Sequence, residues 1–263
     1  RRSGLLIGVA GAALLAGAAG ATAQDRTNIA PFSTSAPYAG KVLSNTSSIT
    51  NNGPGGTWTG NIISNAGSVT NTGAGAVWNG SVSNDNSVNN ENGARWVGNI
   101  VWNNNGIRNK VGSTWEGDVL SNGGSNSLTL IDNRGTWIGA VRGNTTRIFS
   151  YGGSWTGDVV GNAGNIYNNM ADGSLNPGGV NAALWSGNVL SNSYLIINFA
   201  LGRWQGNVVD NPGNIANCGS WTGNLIKRGG IINTGVWTGD VINSGSLFRA
   251  ENQIIGSLDN RGR

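Results

Sequence analysis

Apolar and polar residues alternate along most of this chain, and the alternation itself repeats. In GSWTGDVVGNAGNIYNN (153–169), Trp155, Gly157 and Val159 fall at alternate positions, Asn162 follows, and Ile166 and Asn168 stand two apart. Trp-x-Gly recurs at Trp58, Trp78, Trp96, Trp115, Trp137, Trp155, Trp185, Trp204, Trp221 and Trp237, each with Val, Ile or Leu four residues after the Trp. Tyr38 opens an earlier unit and Ile254 a degenerate last one. A second element, apolar-x-Asn, closes at Asn51, Asn71, Asn90, Asn109, Asn133, Asn168, Asn198, Asn217 and Asn233. Period-two alternation predicts strands with one buried face, and no stretch after the first residues shows helical spacing.

The unit averages about 20 residues, which suits one coil of a parallel β-solenoid. The expectation is an all-β, single-stranded parallel β-helix of about 12 coils, stacked at the ~4.8 Å inter-strand spacing into a rod roughly 55–60 Å long. A sandwich offers no reason for so strict a period, and a propeller blade needs about 40 residues. Trp, Gly and Val of each unit are expected on one strand face pointing inward, because ten exposed indoles would form a large sticky patch. The Gly would leave room for the indole. The recurring Asn suit corners, where their amides can bond the coils above and below as a ladder.

Composition sharpens this. The 263 residues include 45 Gly and 40 Asn but only 11% charged residues. The 11 Trp argue against disorder, since they give the chain large apolar groups to bury. The formal charge of +4 is scattered, so no nucleic-acid partner is expected. With one Cys, Cys218, and no His, an ordinary zinc site is excluded, and no cofactor or metal is expected.

The opening RRSGLLIGVAGAALLAGAAGATAQ runs from basic to apolar to small-x-small, the order of a secretory signal. Residues 1–23 are therefore expected to be a cleaved signal peptide, 24–37 a linker or N-terminal cap, and 38–263 the repeats, with further coils expected beyond them.

Any acid–base chemistry would fall to the carboxylates. Asp118, Asp158 and Asp240 each fall three residues after a Trp, so they share a coil position in coils too far apart to converge. Glu116 and Asp118 are expected on one face of one strand as the tightest acidic pair. One interval stands out: about ten extra residues precede Trp185, including Met170, Asp172, Leu175, Asn176 and Pro177. Long loops on repeat scaffolds are frequent binding sites, so these form the candidate binding loop.

An export signal followed by coils such as GTWTGNIISNAGSVTN and GVWTGDVINSGS resembles the passenger region of bacterial autotransporters and related type V secreted adhesins. The resemblance implies a structural or adhesive β-helix at the cell surface or outside the cell, without catalysis, displayed as a monomeric rod. It also implies an outer-membrane β-barrel in the same full-length chain and a glycan or protein receptor on a host cell or other surface. The alternative is a secreted carbohydrate-active β-helix enzyme, a polysaccharide lyase or hydrolase, which would need carboxylates converging in a groove.

Overall fold

The computed structural model describes residues 25–27, 31–124, 130–170, 182–245, 248–250 and 254–261. The proposed signal, 1–23, lies outside them. The described chain is all-β, built of short parallel strands. They stack into three faces of a solenoid, so each coil carries three strands. The Trp face and the Ile-x-Asn face are each 12-stranded sheets. The Val face is split into a 5-stranded and a 7-stranded sheet. Single bridges at Val119 and Asn122 carry the Val face across the split. Register is strict: Trp pairs with Trp from Trp58 through Trp237, then with Ile254.

The core contains almost nothing but the repeat's own apolar positions. The ten Trp of the motif are at most 1% exposed. They form one column, with ring centroids 4.4–4.8 Å apart and planes within 14° of parallel. An indole also brings an N–H that must find an acceptor once buried. In Trp58, Trp78, Trp96, Trp115, Trp137, Trp155 and Trp185, Nε1 donates to the carbonyl of the Gly two residues on, at 2.9–3.2 Å.

That Gly has a different role from the one its spacing suggested. Trp155 lies on the strand Ser154–Thr156 and Val159 on the strand Val159–Asn162, which belong to two different faces. Trp and Val both point inward, but across a corner, and Gly157 is that corner, with φ +145°. A Cβ on Gly157 would sit 2.1 Å from the carbonyl oxygen of Gly139 in the preceding coil. The corner glycines stack backbone on backbone, so it is the neighbouring main chain, rather than the indole, that requires the missing side chain.

Two Asn ladders run through the interior. The apolar-x-Asn ladder links Asn51, Asn71, Asn90, Asn109 and Asn133 through Nδ2–Oδ1 bonds of 2.8–2.9 Å. It resumes from Asn168 through Asn198 and Asn217 to Asn233 at 2.8–2.9 Å. Between the two runs stands Ser150, too short to reach, and its Oγ is buried without a partner. A second ladder at the next corner links Asn45, Asn65, Asn84, Asn103, Asn122, Asn144, Asn162, Asn192 and Asn211 at 2.5–3.3 Å. Asn122 donates to the Thr146 hydroxyl, and the other ladder amides also donate to a main-chain carbonyl, as Asn51 does to Gly56 and Val77. Corner carbonyls that strands cannot serve are thereby satisfied, which buried polar groups require.

In the second ladder Lys227 stands in register between Asn211 and Asn243. It is 2% exposed, and its Nζ donates to the Gly230 carbonyl. Burial pushes this ammonium down from its ordinary value of 10.5 to about 7. The unfolded chain therefore holds the proton more tightly. The destabilisation is absent above about pH 10.5 and grows as pH falls toward about 7, where it is complete. Lys227→Asn should raise stability at neutral pH by on the order of 2–4 kcal/mol. Denaturant melts at pH 7 and pH 10 should show the gain shrinking at the higher pH; an equal gain at both would mean that Lys227 is not desolvated.

At the N-terminal end, Arg26–Thr27 and Phe32–Thr34 pair with Val42–Ser44 and Ile49–Asn52, so the segment expected as linker or cap carries strands in register with the first coil. Phe32 packs edge-on against Tyr38 and Trp58, with the Arg26 guanidinium 4.6 Å over its ring.

Candidate functional site

The expected carboxylates do not converge. Asp118, Asp158 and Asp240 sit just past the corner Gly, and each uses Oδ1 to accept a backbone N–H of the next coil: Ala140, Asn188 and Ser257, all at 2.8 Å. Asn61, Asn99, Asn188, Asn207 and Asn224 do the same at 2.8–3.0 Å, so the position is a third ladder, from side chain to main chain. The two hydrogen bonds from Ser257 hold the Asp240 carboxyl below its usual range.

Glu116 and Asp118 do not share a strand face. Gly117, at φ +152°, turns the chain between them. Glu116 is instead held by Arg95 at 2.6 and 2.8 Å, which lowers its carboxyl. Among the described residues no three His, Cys, Asp or Glu gather as a metal site.

The departures from the repeat cluster elsewhere, around the insertion. Met170 is half-buried at the corner after Asn168. Asp172, Leu175, Asn176 and Pro177 lie outside the described residues. The two ends of the insertion are joined: the Ala183 N–H donates to Asn169 Oδ1 at 3.1 Å, and Ala183 is buried. The described residues on either side of the insertion thus meet at one corner.

Beside that corner, the outward residues of the Ile-x-Asn face change character. Down the sheet Arg108, Asp132, Phe149, Tyr167 and Ile197 stand in register, where earlier coils present Thr50, Thr70 and Asn89. Phe149 stacks on Tyr167 at 4.8 Å and on Tyr151 at 5.2 Å. The Arg134 guanidinium lies 4.7 Å over Tyr151, and its Nε donates to both oxygens of Asp132 at 3.2 Å. Tyr167 continues to Phe199 at 6.2 Å.

Asp132 is only 6% exposed. Burial raises its carboxyl, and Arg134, Arg108 and Lys110 pull it part of the way back. Phe199 begins the turn that ends at Leu201, which is 66% exposed at φ +66°, strained for a side chain of its kind. This turn walls an open groove of about 620 Å³ that continues past Cys218 and Thr234 to Val236. Cys218 is an exposed thiol on its floor.

The result is a belt of half-buried aromatic rings around Phe149, itself only 5% exposed, with one largely buried ion pair and a groove, on the sheet beside the insertion. Such a surface can bind; with Asp132 already engaged by Arg134, its described residues hold no pair of free carboxylates. The belt was readable as the middle residue of each apolar-x-Asn element, Phe149 and Tyr167 above all. Attention to the inward residues alone passes over it.

No family model, curated protein or solved structure matches the chain.

Proposed function

We propose that this chain is the structural and adhesive β-helix passenger of an autotransporter-like protein, exported and held at the bacterial surface, where the rod carries the insertion and its flanking belt away from the cell. The observation that carries the reading is the contrast, among the described residues, between a monotonous interior and the outward irregularity beside the insertion. Two interior Asn ladders, a third ladder at the corners and the Trp column commit most of the repeat's polar and apolar side chains to the scaffold. What remains for recognition is the belt from Asp132 to Phe199 beside the insertion. The receptor class the reading calls for is a glycan or protein on another cell's surface.

The reading has two tests. Intact producing bacteria should expose the rod to added protease. Binding of the purified chain to cells or to immobilised glycans should fall when residues 170–182 are replaced by a short Gly/Asn corner. Because Asn169 and Ala183 are already one hydrogen bond apart, that replacement should keep the far-ultraviolet β signal. Loss of that signal would mean the insertion is part of a coil. Release of oligosaccharides from an acidic polysaccharide would instead favour the enzyme.

A further inference from the structure

The Val face presents one row to solvent, the residue after each buried Val, Ile or Leu. On its 7-stranded sheet the row is continuous in register. Within that sheet Arg142 opens it and Asp259 closes it; across the bridge at Val119 the outward row goes on to Leu120, 41% exposed. Between Arg142 and Asp259 stand Val160, Leu190, Val209, Ile226 and Ile242, without a charge in the row. Leu190 and Ile226 are 37% and 48% exposed. A flat apolar strip of this kind on a parallel sheet is a candidate contact surface.

The order of the row selects its partner. Reversed and laid against itself about Val209, it matches term by term: Leu190 meets Ile226, Val160 meets Ile242, and Arg142 meets Asp259. Both ends then pair opposite charges, and the centre is Val209 on its own copy. A row whose ends carried the same sign would repel in this arrangement. Arg142 is exposed and forms no ion pair among the described residues. Asp259 is bonded by Arg261 through Oδ2 alone, which leaves Oδ1 to accept. The charges flanking the centre, Asp210 and Arg228, are already paired at 3.1 Å and bring no net charge to it.

We propose that two copies of this chain associate side by side and antiparallel through the seven-stranded part of the Val face, about a two-fold axis at Val209. The strip is about 29 Å long and roughly 10 Å wide, from strand spacing and rise. That footprint of about 300 Å² per copy is well under the ~800 Å² of a standard interface, so the dimer is weak and concentration-dependent. The expected monomeric rod is then the dilute form.

Sedimentation velocity of the purified chain should show a dimer whose fraction rises with concentration. Val209→Lys places two like charges at the axis and should abolish it. Arg142→Asp and Asp259→Arg should each weaken it by about tenfold. Combining the two swaps should restore the parent behaviour, because each swapped end then faces its complement. All three positions point outward, and unchanged circular dichroism would show that the four variants fold. A chain that stays monomeric to about 0.5 mM, a dimer that survives Val209→Lys, or a double swap no better than the single ones would each overturn the proposal.

Discussion

Gly157→Ala should cost about 4–5 kcal/mol, as much as removing a large core side chain, although it adds one methyl group. The new Cβ would lie 2.1 Å from the Gly139 oxygen and 2.5 Å from its carbonyl carbon. Both are main-chain atoms fixed by the stack, so no rotamer change can relieve the contact. Strain at φ +145° adds to the clash. Gly112 supplies the control. It also has positive φ, +77°, but nothing lies within 4 Å of its would-be Cβ. Gly112→Ala should therefore cost only about 1 kcal/mol, from backbone strain. Similar shifts for both in denaturant melts would show that the corners are not stacked this closely.

Trp155→Ala should cost about 3–5 kcal/mol and act locally, since a solenoid's stability is a sum over neighbouring coils. The indole is fully buried, is stacked 4.8 Å from both Trp137 and Trp185, and donates to Gly157. Its removal leaves a cavity inside a column that cannot collapse, because the sheet register holds the coils apart. Thr156 is the next residue on the same strand and points outward. Thr156→Ala should stay within about 0.5 kcal/mol. Equal losses from both would reverse the inside and outside of the Trp face.

The large-scale order of this molecule was written plainly in the sequence. A twenty-residue period carrying Trp, then Val, then Ile-x-Asn defines a coil, and the buried residues are the ones the alternation selects. What the alternation could not place was the corner. Trp155, Gly157 and Val159 read as one strand because a bend at Gly preserves the inward direction of both neighbours, and the period of two survives the turn. The third ladder was hidden for a related reason. Asp118 and Asp158 look like solvated carboxylates until the stacked N–H of the next coil is seen 2.8 Å away. The aromatic belt and the apolar row depend on which outward residues share a register, and unequal coil lengths hide that register until the strands are paired.

Ten indoles face into the solenoid and one faces out. Trp102 alone among the 11 Trp lies outside the Trp-x-Gly motif, and it is 40% exposed on the Val face. Iodide quenching of Trp emission tests this directly. The parent chain should show a small quenchable fraction, from Trp102. In Trp102→Phe that fraction should vanish, leaving blue-shifted emission that iodide does not reach until denaturant opens the coils. A folded Trp102→Phe protein whose emission is still largely quenched would contradict the buried column, and with it the solenoid described here.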